Sequence, residues 1–338
     1  MIKIAVDAAG GDYAPHEVVK GAIKAAQEYG VEIALVGRRG VLRTLAQKSV
    51  GKARVKIVDA KQVIDFNEHP IKAIRNKPNS SIVVGIGLLK SGGAQAFVSA
   101  GNTGAVVASA LLTLGRVNGV SRAAIGCFLD TISSFPALLV DAGANSDCRP
   151  EHLLEFARLG SLYSKYLLRI ESPRVGLLSN GAEAGKGNRL IQETYELLKN
   201  AKDINFTGSM EGHDIVKRTV DVIVTDGFTG NIVIKTIEGF NDNFLNSVRQ
   251  MGHIFSSASR LRARDLLRDI GLGSWTKKMD YTEYGGACLL GVNGNVIIAH
   301  GRSQAKAIKN AIGLAKETVE CGIAEKVREG NHEQASGN

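Results

Sequence analysis

At 338 residues, 44% hydrophobic and 22% charged, the chain has the make-up of a globular protein with a large core, and its 39 glycines against 6 prolines do not fit a disordered or fibrous one. The formal charge of +9 asks for an anionic partner, whether a phosphate compound, an acidic protein, a membrane surface or nucleic acid, and an aromatic content of 5% weighs against a base-stacking surface. Four scattered cysteines, Cys127, Cys148, Cys288 and Cys321, indicate neither a zinc site nor a disulfide framework, and with no leader-like start or bilayer-length apolar run the expected setting is a reducing cytoplasm.

Ile2 to Val6 is β-branched and apolar, stops at Asp7, and passes through AAGGDYAP into a helical pattern from His16 to Tyr29. Strands at Ile33–Gly37 and Val55–Asp59, with a helix between them, continue an α/β alternation that implies a mostly parallel sheet. After a helical stretch near Pro70 to Arg75, NSSIVVGIGLLKSGG offers Gly85-x-Gly87. Lys90 stands where a dinucleotide fingerprint needs its third glycine, so the segment reads as a helix capped by Ser80 or Ser81 and ended at Gly92-Gly93. Ala96–Ala100 is a strand opening into GNTGA, Ala105–Leu114 a buried helix, Ala123–Phe128 and Ala137–Val140 two more strands, and Pro150–Leu168 a long helix. Val175–Leu178 breaks into the glycine-rich loop around Lys186 before a helix from Leu190 to Asn200. Strands at Asn205–Gly208 and Asp221–Val224 follow, the second emptying into TDGFTGN. From 236 to 284 no strand is visible, and a basic, amphipathic helical excursion is expected. A strand at Val296–Ala299, a helix from Ser303 to about Val327 and a frayed tail over 331–338 complete a single α/β domain, 1–330, with two lobes around a cleft. No internal repeat is evident.

Five strand ends thus carry polar, glycine-rich loops: Gly10–Asp12, Gly101–Gly104, Asp141–Asn145, Asn180–Asn188 and Asp226–Asn231. In open parallel sheets such ends form the ligand crevice, so the five are expected around one pocket. GAEAGKG is not the phosphate loop of nucleotide hydrolases, because the glycine spacing is one short and Gly187 replaces the magnesium-holding Ser or Thr. Lys186 is either a solvated lysine or an anion ligand, and Asn102, Thr103, Asn145 and Asn231 are either helix caps or donors into the crevice. Asp7, Asp12, Asp141, Glu183 and Asp226 have no metal-ligand spacing, and neither H-E-x-x-H nor G-x-S-x-G occurs. Amides, glycines and one cation without a protein nucleophile suit a reaction in which a bound anion attacks.

Read together, IAVDAAGGDYAP, NSSIVVG, SAGNTGA, DAGAN, SPRVGLLSNGAEAGKGN, VTDGFTGN and KMDYTEYGGACLLG, collinear over the chain, resemble the bacterial phosphate acyltransferases, the PlsX family. The resemblance implies a Rossmann-like α/β fold akin to isocitrate and isopropylmalate dehydrogenases and phosphotransacetylases, and a homodimer. It implies acyl transfer from acyl-[acyl carrier protein] to inorganic phosphate for phospholipid synthesis, with neither cofactor nor metal, feeding a membrane glycerol-3-phosphate acyltransferase. Lys186 and Asn231 match the family's active-site lysine and asparagine. Gly10, Gly11, Asp12, Asn102, Thr103, Asn145, Glu183, Asp226, Thr229 and Gly230 become the expected phosphate- and donor-binding set. Ala9 stands where the family usually has methionine, and Ala182-Glu183 where it usually has Thr-Glu. The basic surplus suits an acidic carrier protein rather than nucleic acid. Ile254, Phe255, Leu261, Leu266 and Leu267 among arginines read either as a peripheral anchor to the inner membrane face or as a dimer or interlobe helix. The rivals are an acyl-coenzyme A phosphotransacylase and a non-catalytic anion-binding regulator.

Overall fold

The apolar runs pair into one sheet of 11 strands in a computed structural model that describes residues 1–46, 54–129, 136–255 and 285–335. In chain order these are β1 (Lys3–Asp7), β2 (Glu32–Gly37), β3 (Val55–Asp59), β4 (Ala96–Ser99), β5 (Ala124–Leu129), β6 (Ala137–Val140), β7 (Arg174–Leu178), β8 (Asn205–Met210), β9 (Val222–Val224), β10 (Ala287–Leu290) and β11 (Asn295–Ile298). Their spatial order is β3-β2-β1-β4-β11-β10-β5-β6-β9-β7-β8.

The first five strands in that order are parallel, and so are the last four. Between them β11–β10, β10–β5 and β5–β6 are all antiparallel, so the two parallel blocks run in opposite senses. The sheet is therefore mixed, although parallel pairs predominate.

The helices are α1 (His16–Tyr29), α2 (Arg39–Ala46), α3 (Pro70–Asn76), α4 (Ser81–Lys90), α5 (Thr103–Thr113), α6 (Pro150–Leu167), α7 (Arg189–Asn200), α8 (Gly227–Phe255), α9 (Ala305–Glu320) and α10 (Ile323–Ala335). Alternate strand residues send their side chains to opposite faces. Ile4, Val6, Leu138 and Val140 pack with α1, α2, α6, α7, α9 and α10, whereas Ala5 and Phe97 face α3, α4 and α5, and Leu139 and Ile223 face α8. Both faces are covered, which is why these strands read as unbroken apolar runs. Burying each of the large side chains contributes roughly 1.5–3 kcal/mol.

Three elements differ from the sequence reading. β10 was not legible as a strand. The last helix divides at Gly322, whose φ is 63°, and α10 runs to Ala335, into the segment expected to fray. TDGFTGN is no loop ahead of a helix, since α8 begins at Gly227 within it. Ile254 and Phe255 fall at the end of α8, whereas Leu261, Leu266 and Leu267 lie outside the described residues. Among the described residues no helix is long and apolar enough to cross a membrane.

Candidate active site

Two strand ends are built alike. At the end of β1 the Asp7 carboxylate accepts the backbone N–H groups of Ala9 and Gly10, each at 3.1 Å, and the Ser99 hydroxyl at 2.7 Å. Burial pushes this carboxyl up from its ordinary 3.8, against the lowering effect of its hydrogen bonds. After β6 the buried Asp141 carboxylate accepts the N–H groups of Ile125 (2.9 Å), Gly143 (3.1 Å) and Ala144 (2.9 Å), and both the backbone and side-chain amides of Asn145 at 2.8 Å. Each turn is pressed against the next loop through a glycine. A Cβ on Gly10 would stand 2.7 Å from the Cα of Gly101, and a Cβ on Gly230 would collide with the Asp141 carbonyl oxygen.

Asp226 caps α8, accepting the Thr229 N–H at 2.9 Å and the Thr229 hydroxyl at 2.8 Å. Asn231 is therefore not the cap; it stands exposed inside the helix with its side chain beside Gly143. Lys235 and Glu238 follow at i+4 and i+7 on the same face. All three line a cavity of about 310 Å³ together with Thr103, Cys127, Gly143 and His300, and its other walls include Ile125, Phe128 and Ile298.

The Lys235 ammonium donates to Glu238 Oε2 at 2.7 Å and lies 3.2 Å from His300 Nε2, which is 3.4 Å from the same carboxylate oxygen. Behind the ring, the Arg302 backbone N–H donates to His300 Nδ1 at 3.1 Å. That bond makes Nδ1 an acceptor and turns Nε2 toward Glu238 and Lys235. Burial pushes the Glu238 carboxyl up, but the bonds from His300 and Lys235 outweigh it and hold the group below its ordinary 4.5. Burial, reinforced by the Glu238 charge, pushes the Cys127 thiol up to about 12, which removes it as a nucleophile near neutrality.

The Lys186 loop borders a different cavity, about 420 Å³, lined by Ser179, Asn180, Gly187, Thr225, Asp226 and Thr229 among others. Thr229 and Asn231 are separated by roughly 200° around the helix, so the two cavities flank opposite sides of the first turns of α8. Lys186 lines neither cavity. Its stem folds over Gly181, its N–H donates to the Glu183 carbonyl at 2.9 Å, and its side chain is exposed at the rim. Gln192 ties the loop down through the carbonyls of Gly185 (2.9 Å) and Gly187 (3.1 Å). The hydroxyls of Ser179 and Thr225 are buried beside this cavity without a partner among the described residues.

The five loops thus do not share one pocket. Thr103 and Asn231 meet in the first cavity, Asp226 and Thr229 line the second, and Gly230 is buried against Asp141 between them. Gly10, Gly11 and Asp12 line neither, and the Asp12 N–H donates to the Gly301 carbonyl at 2.8 Å. Asn102 caps α5 through the Ala105 N–H (3.0 Å) and spends its amide on the carbonyls of Asp65, Phe66 and Glu68. The Asn145 amide is likewise engaged, by Ala123 and Asp141. Glu183 is exposed beside Gly181. No cluster of three metal-binding side chains occurs among the described residues. Lys235 and Glu238 were missed by the sequence reading, since their phase with Asn231 shows only once the helix is begun at Gly227, and His300 carried no signal.

A family model described as a fatty acid synthesis protein matches residues 2–326. A phosphate acyltransferase of Dehalococcoides mccartyi is 55% identical over 326 residues, covering 96% of this chain and 93% of that one. The chain belongs to the phosphate acyltransferase family. A second family member, from Dictyoglomus thermophilum, is 46% identical, with 97% of each chain covered. Membership makes the chain an enzyme, an acyltransferase that forms acyl phosphate. Among solved structures, a phosphotransacetylase from Streptococcus pyogenes is similar with a TM-score of 0.60 at 19% identity over 94% of each chain. A 4-hydroxythreonine-4-phosphate dehydrogenase from Klebsiella pneumoniae is similar at 0.57 and 13%, covering 96% of this chain and 100% of that one. These likenesses concern the α/β Rossmann-like fold.

Proposed function

We propose that this phosphate acyltransferase takes a fatty acyl group from acyl-[acyl carrier protein] and passes it to inorganic phosphate, releasing free carrier-protein thiol and acyl phosphate for phospholipid synthesis. One observation carries the reading. The cavity beside Asn231 joins apolar walls to convergent donors, while the thiol within it, Cys127, is held at about 12, so acyl transfer through a cysteinyl enzyme is disfavoured and direct attack by phosphate is favoured. Hydrogenphosphate supplies the attacking oxygen, the carbon–sulfur bond breaks, and the proton lost by phosphate ends on the departing thiolate. No cofactor enters the balance.

In this reading Lys186 and the loop N–H groups receive phosphate, the buried Ser179 and Thr225 hydroxyls support the second cavity as an anion site, and Asn231 orients the reacting groups from the other side of α8. Substrate then bridges the first turns of the helix, in a cleft between the two blocks of the sheet. The reading extends to an isocitrate-dehydrogenase-like subclass of the fold. It extends also to a homodimer, supported by Phe228, Ile232 and Phe240, exposed along α8, and to a place on the inner face of the cell membrane. There Ile254, Phe255, Leu261, Leu266 and Leu267 make peripheral contact, and the membrane glycerol-3-phosphate acyltransferase consumes the product.

The test is phosphate-dependent release of thiol from palmitoyl-[acyl carrier protein], with acyl phosphate detected by mass. Product from the carrier-protein thioester is the expected result. Reaction of palmitoyl-coenzyme A alone would replace the donor, and a folded protein inert toward both would end the reading.

A further inference from the structure

We infer that the cavity beside Asn231 seats the acyl chain and that Ala287, on the central strand of its floor, sets how many methylenes it takes. This rests on the acyl-transfer reading above and adds the residue that selects among acyl donors.

The floor is cut from three neighbouring strands. Ile298 stands directly across from Ala287 in the β10–β11 pair, and Ile125 directly across from Leu289 in the β10–β5 pair. Side chains alternate along a strand, so Ile125, Cys127, Ala287 and Ile298 share one face, and all four line the cavity. A methyl group flanked by two isoleucines leaves a dip between them. Cys288, Leu289 and Leu290 of the same strand are at most 1% exposed, whereas Ala287 is only partly buried, because its methyl opens on that dip. The neighbouring lining positions cannot vary in the same way. A Cβ on Gly286 would stand 2.8 Å from the Ile298 carbonyl oxygen, and Ala299 and Ala307 are already packed at 3% and 2% exposure. Side-chain size at 287 therefore sets the room above the floor.

Polar groups gather at the mouth and on one wall instead. Thr103, Gly143 and Asn231 are exposed at the rim. On the wall, Lys235 donates to Glu238 at 2.7 Å and His300 Nε2 lies 3.4 Å from the same oxygen, so these groups engage one another rather than the floor. An apolar floor below a polar mouth orients an acyl thioester, with its chain inward and its carbonyl beside Asn231. At about 310 Å³ the cavity is near the small end of the roughly 300–1,000 Å³ typical of ligand pockets, so a long chain fills it before the chain ends. Discrimination is thus confined to the methylenes that fit.

The experiment measures kcat/KM with inorganic phosphate for straight-chain donors from butyryl to palmitoyl, as carrier-protein and as coenzyme A thioesters. The full-length wild type is compared with Ala287→Leu, Ala287→Val and Ala287→Ser. In the wild type each added methylene should raise kcat/KM by roughly fourfold until the cavity is full, after which the profile is flat. Ala287→Leu should bring the plateau about two to three methylenes earlier and lower the palmitoyl value by roughly tenfold or more. Ala287→Val, a smaller step that suits a strand, should move it in the same direction and carries the test if the leucine variant does not fold. Ala287→Ser keeps the size and should keep the wild-type plateau. A plateau that stays in place in a folded Leu or Val variant, an equal loss at every chain length, or the same shift in Ala287→Ser overturns the assignment. A wild type indifferent to chain length overturns the cavity as the seat of the chain. Absence of acyl phosphate from the wild type with either series of donors overturns the acyl-transfer reading itself.

Discussion

The corner at Asp7 and the corner at Asp141 use the same device to different ends. In both, a strand finishes on a buried aspartate that gathers the N–H groups of its own turn, and a glycine lets the next loop close on it. At Asp7 the closure is complete: Gly10 meets Gly101, and the Asn102 amide is consumed by three backbone carbonyls. At Asp141 the neighbour is the first turn of α8, which leaves Asn231, Lys235 and Glu238 facing one cavity and Asp226 and Thr229 another. A strand-end aspartate with glycines marks a rigid corner, and what the next element presents decides whether that corner also becomes a site.

The comparison breaks most visibly at the glycines. Gly230→Ala is expected to abolish turnover and to lower the unfolding midpoint, since overpacking costs roughly 1–3 kcal/mol even where neighbours yield. Gly10→Ala should lower the midpoint while its folded fraction still turns over; equal losses of specific activity would make both corners catalytic. Lys186→Ala, on an exposed side chain, should cost roughly 100- to 1000-fold in turnover with an unchanged thermal melt. A near-normal rate would remove it from the site.

A finer contrast lies between two asparagines. Asn102→Ala should cost about 1 kcal/mol as a lost cap, read as a lower denaturant midpoint with specific activity kept, whereas Asn231→Ala should do the reverse. The smallest effect is in pH. Because burial raises the Asp7 carboxyl, the native state holds a proton that the unfolded chain releases near 3.8. This contribution to stability is full below 3.8 and is lost as pH rises through the raised native value, so the stability of Asp7→Asn should lack that slope in denaturant titrations.

Much of the scaffold was legible because its signals are local. The Ser80 cap accepts from the Val83 N–H as the spacing requires, Pro150 opens α6, and α1 spans the periodic stretch from His16 to Tyr29. Strand direction was hidden, since alternation of side chains is the same whichever way a strand runs. The reversal rests on β10, four residues beside a stretch of glycines, and on its pairing with β5 across the chain. The start of α8 was hidden for another reason. Gly227, Thr229 and Gly230 are poor helix formers, and only the seat of Gly230 on Asp141 and the Asp226 cap override that preference. Reading TDGFTGN as a loop kept Asn231, Lys235 and Glu238 from appearing as one helix face. His300 reaches them only because β11 enters the middle of the sheet.

That late entry of β11 has a bearing on how the polypeptide is made. β4 at Ala96–Ser99 waits for a partner that begins at Asn295, and β5 for one that begins at Ala287. On the ribosome both strands keep a bare edge until nearly the whole protein has been synthesised, a slow, non-local closure of the kind that invites strand-to-strand aggregation and chaperone holding. A chain stopped short of Asn295 would lack not an ornament at its end but the strand that joins its two halves.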